Sequence, residues 1–289
     1  MKRIVNASVL IVSSLLIYSC KKTLEPVESV SAVNQNDSST SPLSETPFPT
    51  NPFFNCEYKP DYGDSVLFVR TGTSGDQYAY PVNSNGLKGT YLSWPNGLDL
   101  DAHTGVINLT TSKTGQRFSI GFVYENSKDT CMSHLVIGGA SYADSIYLLS
   151  ASHKSALPYF NANPNTPNPC ASNLGTGCLF DYTYSARLQG IVVDPKMGFI
   201  DLEKTMSHNP FGLLPKDGAT VLTTIHYQLN DQSNGTPEQM QIKLMYYYSR
   251  SNIPGSIISL IQKRASGMTS DNGDGIPTKP PIIIITRTK

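Results

Sequence analysis

Apolar and polar residues alternate with a period of two along much of this chain, which is the spacing of β-strands that bury one face. One such run extends from Phe118 to Tyr124. Two more runs, residues 223–229 and 240–248, are separated by the turn-rich stretch 230–237 and predict a long β-hairpin. These patterns predict an all-β fold that is built from many short strands.

The segment 97–109 recurs at 190–202, at a constant offset of 93 residues and without a gap. Each copy has alternating apolar residues on both sides of an aspartate and a glycine, which are Asp101 and Gly105 in the first copy. Aspartate closes tight turns by accepting a backbone N–H two residues further on, and glycine supplies a positive φ. We interpret the two segments as one hairpin used twice, so the chain contains two copies of a β-rich unit.

Asp99 and Asp101 also suggest a calcium pair, because hard cations prefer clustered carboxylates. The second copy has Val192 at the position of Asp99, so a shared turn explains both copies and a shared metal site does not. Asp271–Gly275 resembles part of a calcium loop but has no downstream bidentate glutamate, and we interpret it as a turn. We therefore expect no metal site.

A second repeated stretch precedes each hairpin, since residues 144–149 echo residues 64–69 at an offset of 80. The difference between the two offsets, 80 and 93, places 13 extra residues in the second copy. We assign them to the Pro/Asn-rich segment 161–178. Long loops on a rigid scaffold often bind ligands, but a loop without a function explains this segment as well.

The residues from Pro95 to Ile107 have the order Pro-x-Gly-Leu-x-Leu-Asp-x-x-Thr-Gly-x-Ile, and Gly115 precedes an alternating aromatic strand. This order resembles the bacterial putative-Ig and cadherin-like repeats. Asn108–Leu109 stands where those repeats usually have Gly-Thr-Pro. The resemblance implies β-sandwich modules of the kind found in surface and adhesive proteins, with no catalytic residues to carry over.

The formal net charge of zero excludes a basic surface for nucleic acid, because phosphate binding needs an excess of lysine and arginine. The N-terminus has a basic start, Met1–Arg3, and an apolar core, Ile4–Tyr18, that is short for a membrane span. It ends in Ile17-Tyr18-Ser19-Cys20, which resembles a bacterial lipobox. That resemblance implies lipidation of Cys20, and Lys21 favours the outer membrane over the inner one. An ordinary signal peptide is the alternative.

Removal of Cys20 leaves four cysteines in an oxidising compartment, which predicts two disulfides. Cys170 and Cys178 close a short loop. Cys56 and Cys131 lie near the start and end of the first copy, and the first and last strands of an immunoglobulin-like sandwich commonly run side by side. A metal site is the rival interpretation, but the chain has no C-x-x-C pair.

These observations predict two tandem Ig-like β-sandwich domains after a disordered linker, with a short helix/strand tail that begins near Asn252 and Pro254. We expect the apolar strand 282–286 in this tail to add to one of the sheets, because it would be prone to aggregate if exposed. The predicted boundaries are a signal peptide at 1–19, an anchor and linker at 20–52, sandwiches at 53–140 and 141–250, and the tail at 251–289.

The sequence contains no nucleophile elbow, P-loop, zinc-protease or dinucleotide motif, and its five histidines are scattered. We expect no catalytic residues and no cofactor. We expect Trp94, Tyr91 and Tyr247 to be exposed and regard them as candidate ligand-binding aromatics, although core packing explains them equally well. We therefore expect a lipid-anchored envelope protein that binds a partner or mediates adhesion without catalysis. The alternatives are a glycan-binding lipoprotein of a polysaccharide uptake system and an envelope hydrolase.

Overall fold

The computed structural model describes residues 56–269 and 280–288, except residues 73, 83, 85, 128, 151–153 and 172–176. The predicted signal peptide, the lipidation site at Cys20, the linker and the turn at Asp271–Gly275 lie outside the described residues.

The described residues form sixteen β-strands and two α-helices. The strands of the first half are β1 Val66–Leu67, β2 Tyr78–Ala79, β3 Gly89–Trp94, β4 Asp99–Leu100, β5 Ile107–Asn108, β6 Gln116–Tyr124 and β7 Thr130–Ile137. Those of the second half are β8 Ala140–Tyr142, β9 Ser145–Leu148, β10 Ser155–Ala156, β11 Pro158–Phe160, β12 Leu179–Phe180, β13 Ile200–Asp201, β14 Ala219–Gln228, β15 Glu238–Ser249 and β16 Ile282–Thr288. The helices are α1 Leu202–Ser207 and α2 Gly255–Thr269.

The first half folds into a sandwich of two sheets with the orders β1-β7-β6-β3 and β2-β5-β4. Strand β1 runs parallel to β7, and the other pairs are antiparallel. The inward-facing residues of both sheets form one core around Phe118, Ile120 and Phe122. This division of seven strands into two Greek-key sheets is that of the immunoglobulin-like sandwich, which confirms the predicted fold class.

The second half forms one larger sheet and two two-stranded sheets, β10-β13 and β11-β8, around a separate core that includes Phe180, Ile225 and Tyr227. Its larger sheet has the order β12-β14-β15-β16-β9. Strand β9, the counterpart of β1, therefore does not pair directly with β15, whereas β1 pairs directly with β7. Strand β16 lies between them and runs parallel to both neighbours. Its apolar residues Ile282–Ile285 are all buried, which confirms that this strand belongs to a sheet.

The repeated hairpin has the same hydrogen bonds in both halves. Gly105 donates its N–H to the Asp101 carbonyl, and Gly198 donates to the Asp194 carbonyl, at 2.8 and 3.0 Å. The Asp101 carboxylate accepts two backbone N–H groups of the turn, and so does that of Asp194. The turn interpretation of these aspartates is therefore confirmed. Backbone N–H donation lowers the pKa of Asp101 because it stabilises the carboxylate.

A buried tyrosine holds each turn against its sandwich. The Tyr62 hydroxyl donates to the Gly105 carbonyl at 2.6 Å, and the Tyr142 hydroxyl donates to that of Gly198. These two tyrosines are separated by the same offset of 80 residues that relates the first strands. The turns therefore belong to a duplicated unit that includes its hydrogen-bonded support.

The two sandwiches meet at a junction without a long linker, because β7 continues through Gly138 and Gly139 into β8. The buried hydroxyl of Tyr227 accepts the Ala140 N–H at 3.2 Å and lies 2.9 Å from the Thr114 hydroxyl. A methyl group on Gly139 would lie 2.7 Å from the Tyr227 hydroxyl, so only glycine fits there. These contacts fix the junction.

Helix α2 covers the outer face of the second sandwich through a third apolar cluster that contains Ile261 and Ile284. At the edge of this cluster, Arg264 Nε lies 2.9 Å from Asp144 Oδ2, with side chains that are 7% and 5% exposed. Asp144 Oδ1 also accepts the Ile282 N–H at 2.5 Å. Burial raises the pKa of Asp144, and the Arg264 charge and the Ile282 N–H oppose that rise. One carboxylate thus binds both helix α2 and strand β16.

Both predicted disulfides are present: Cys56–Cys131 and Cys170–Cys178, with Cα–Cα distances of 5.6 and 5.3 Å. The first ties the segment before β1 to β7, and the second closes the end of the insertion. No helix among the described residues is long and apolar enough to cross a membrane.

Candidate functional site

Two of the three aromatic residues that we singled out are buried, so the expectation that they are exposed is wrong. Tyr91 is 3% exposed; its hydroxyl lies 3.0 Å from that of Tyr58, and its ring packs on Gly105. Tyr247 is 4% exposed and lies under helix α2. Trp94 is half-buried at the end of β3, and its role in ligand binding stays a prediction.

A groove of about 660 Å³ lies where the two sandwiches meet. We call it the junction groove; it is lined by Thr110–Thr114 of the first sandwich and by Tyr182, Thr224, His226 and Thr236–Gln241 of the second. Its volume is within the range of small-molecule sites.

One wall of the junction groove is the outer face of the β14–β15 hairpin. The facing pairs are Thr224 with Gln241 and His226 with Gln239. Because alternate residues of these strands point into the core, the polar residues between them face outward. Helix α2 covers another part of this face, around Met245, and leaves this part open. The result is a flat surface of hydroxyl, amide and imidazole groups on a rigid hairpin.

The aromatic part of the junction groove is formed by Tyr182. Its ring packs edge-on against that of His226, with the two ring centroids 6.1 Å apart. Nδ1 of His226 lies 2.7 Å from the Thr183 hydroxyl, which holds the imidazole in place. Tyr182 therefore adds an aromatic residue to the groove lining beside the hairpin.

Glu238, a buried residue in the lining of the junction groove, is hydrogen-bonded through its side chain to Tyr227 in the core of the second sandwich. Burial, reinforced by the Glu238 carboxylate, raises the pKa of Tyr227 well above its ordinary value, so the phenol is neutral. This pair also supports the junction through Thr114 and Ala140. Its contacts are therefore structural, and the open part of the groove offers hydrogen-bonding groups.

A second concave site, of about 510 Å³, lies between the insertion and the loop that joins β14 to β15. We call it the insertion cleft; its lining consists of Phe68, of Asn161, Thr166, Pro167 and Pro169 of the insertion, and of Asn230, Asp231, Gln232 and Asn234 of the loop.

No group of three or more histidine, cysteine or acidic side chains that could hold a metal ion occurs in the part of the chain that the structure describes. The groove and the cleft are instead lined mainly by neutral donors and acceptors. Such surfaces bind ligands by hydrogen bonds and contact with an aromatic ring.

The alternation of β14 and β15 already predicted which residues face the core, and the same pattern places Thr224, His226, Gln239 and Gln241 on the other face. These outward-facing polar residues were the sequence feature from which this wall of the junction groove could have been predicted. Tyr182 and the insertion cleft could not be found this way, because they depend on how the two sandwiches meet.

No protein-family model and no curated protein matches this chain. Solved structures similar to it include extracellular domains 3–5 of Drosophila OTK, with 8% identity, a TM-score of 0.20, and coverage of 66% of this chain and 65% of that one. Drosophila N-cadherin EC1–4 matches with 7% identity, a TM-score of 0.19, and coverage of 65% and 47%. A tri-modular GH5 endo-beta-1,4-glucanase from Bacillus licheniformis matches with 12% identity, a TM-score of 0.19, and coverage of 63% and 37%. These values assign the chain to no family.

Proposed function

We propose that this chain is a lipid-anchored protein of the cell envelope, held at the outer membrane through Cys20, that binds a partner without catalysis. The observation that carries the proposal is the junction groove, a preformed polar surface between two sandwiches whose relative position is fixed by buried hydrogen bonds. Two disulfides support export, because they persist in oxidising compartments.

Metabolic labelling with palmitate tests the anchor. The full chain should incorporate label and remain with the membrane fraction, and Cys20→Ser should lose both. Label that persists in Cys20→Ser would remove the anchor from the proposal.

The binding function is tested with the purified chain on beads, assayed for attachment to the envelope surface of the producing cells. Gln239→Ala combined with Gln241→Ala removes two exposed amides from the groove and should weaken attachment about tenfold or more, because each lost hydrogen bond is worth about 1 kcal/mol. Gln228→Ala is the matched control, since it removes an amide from the same hairpin outside the groove. Equal attachment of all three proteins would exclude the groove as the binding surface.

The second candidate is a glycan-binding lipoprotein of a polysaccharide uptake system. It is favoured by the neutral amides and hydroxyls of both concave sites and by the aromatic ring in each, Tyr182 and Phe68. An array of neutral oligosaccharides distinguishes the two candidates, because only the second requires a reproducible hit.

A further inference from the structure

The insertion distinguishes the second sandwich from the first. In the first copy nine residues separate β2 from β3, whereas the 18 residues 161–178 separate β11 from β12 in the second. Among the described residues of this segment, Ala162, Cys170 and Cys178 belong to or pack against the apolar core. The other described residues of the insertion are partly or fully exposed, and several of them form one side of the insertion cleft.

Both sides of the insertion cleft are held in place by covalent and hydrogen bonds. The Cys170–Cys178 disulfide closes the insertion, and Cys178 Sγ lies 3.5 Å from the Asn230 N–H on the opposite side. Near its start, Asn161 accepts the Gly139 N–H through its side-chain oxygen at 3.0 Å and donates its own N–H to the Gly139 carbonyl at 2.8 Å. The cleft is therefore preformed, which lowers the entropy lost on binding.

The first sandwich supplies the aromatic surface of the cleft. Phe68 lies so close over Gly138 that a methyl group there would be 2.4 Å from its ring, and this contact fixes the ring. Pro167 and Pro169 add rigid apolar surface. Flat apolar surface of this kind suits the C–H face of a sugar ring.

Carboxamides dominate the polar lining of the cleft: Asn161, Asn230, Gln232 and Asn234. No lysine, arginine or histidine is among the lining residues that the structure describes, and Asp231 gives the cleft a negative charge. Each carboxamide offers both donors and an acceptor, which matches adjacent hydroxyl groups. This lining disfavours phosphate, sulfate and carboxylate ligands, since no cation offsets the charge of Asp231.

Asp231 also has an unused acceptor. Its Oδ1 accepts the Ser233 N–H at 2.8 Å, but its Oδ2 is buried without a hydrogen-bond partner among the described residues. A buried polar atom in this state is costly unless a ligand or water donates to it.

We propose that the insertion cleft binds a neutral sugar residue of a glycan chain. A ring hydroxyl donates to the partly exposed Asp231 carboxylate, the carboxamides bind neighbouring hydroxyls, and Phe68 contacts the apolar face of the ring. The proposal rests on the second candidate function and assigns its site.

The test uses the purified full chain against neutral gluco-, manno-, galacto- and xylo-oligosaccharides on an array, followed by titration calorimetry of the hits. Asp231→Asn keeps the acceptor for Ser233 but replaces Oδ2 with a donor, and it should weaken binding about tenfold or more. Phe68→Ala should also weaken it. Gln228→Ala, which lies outside both concave sites, is the control and should leave the affinity unchanged, and Gln241→Ala tests the junction groove as the alternative site. Unchanged urea midpoints would show that each variant is folded.

The outcomes separate the site from the function. Weakening by Asp231→Asn and Phe68→Ala, but not by Gln228→Ala or Gln241→Ala, supports the insertion cleft. Hits weakened by Gln241→Ala but not by Asp231→Asn would overturn the cleft and retain a glycan-binding protein. Absence of any hit on this array would overturn both. Loss of binding in EDTA would also overturn the proposal, because direct recognition of hydroxyls needs no cation.

Discussion

Replacement of Asp144 by alanine should destabilise the second sandwich strongly. The change leaves the Arg264 guanidinium, which is 7% exposed, without its carboxylate partner, and removes the acceptor of the Ile282 N–H. Breaking one side of a buried ion pair costs about 3–5 kcal/mol, and a buried N–H without an acceptor costs about 1–3 kcal/mol. Because Arg264 keeps its bond to the Pro280 carbonyl, we expect a total of about 4 kcal/mol.

The duplicated fold provides a matched control for this prediction. Asp64 occupies the equivalent position of the first sandwich, where it is exposed and only accepts the Val66 N–H at 3.1 Å. Asp64→Ala should therefore cost less than about 1 kcal/mol. Asp144→Ala combined with Arg264→Met removes both buried charges and should recover much of the loss.

Urea denaturation followed by circular dichroism, with the midpoints and slopes of all four proteins, measures these free energies. The reasoning fails if Asp144→Ala costs no more than Asp64→Ala. It also fails if the double variant is no more stable than Asp144→Ala, since the cost would then not arise from an unpaired buried charge.

Three further predictions follow from the fold. Turn N–H groups lower the pKa of Asp101, so the stabilising effect of its carboxylate should be present at neutral pH and lost as the pH falls below about 4. The urea midpoints of Asp101→Asn and wild type should therefore differ at neutral pH and converge under acid conditions. Joint replacement of Cys56 and Cys131 by alanine removes a disulfide between residues 75 positions apart, and it should lower the free energy of unfolding by about 4 kcal/mol in thermal or urea denaturation. A decrease below about 1 kcal/mol would contradict the chain-entropy account. Removal of residues 280–289 deletes strand β16 and with it three fully buried isoleucines, whose burial stabilises the second sandwich by about 1.5–3 kcal/mol each. Limited proteolysis should therefore digest the second sandwich and leave the first, and equal resistance of the truncated and full chains would refute this.

The sequence predicted the parts of this fold that depend on local chemistry. The turns at Asp101 and Asp194 follow from the residues that close them, and the β14–β15 hairpin follows from its alternation. The insertion of β16 between β9 and β15 could not be predicted, because a run of isoleucines indicates a buried strand but not its neighbours.

The errors in the candidate site have the same origin. Tyr247 lies on the outward face of β15, and only the position of helix α2 determines that this ring is covered. Tyr91 is inaccessible because its ring packs on Gly105 in the turn of the first sandwich. Both concave sites depend on contacts between the two sandwiches, which local patterns do not encode.

The position of β16 makes the two sandwiches unequal during synthesis. All strands of the first sandwich have been made once Ile137 has been added, so it can fold while later residues are still being translated. The second sandwich must wait, because Asp144 and Ile282, which meet in its sheet, are 138 residues apart. Until Ile282–Ile285 arrive, the edges of β9 and β15 are unpaired, and the chain is most exposed to aggregation in that interval.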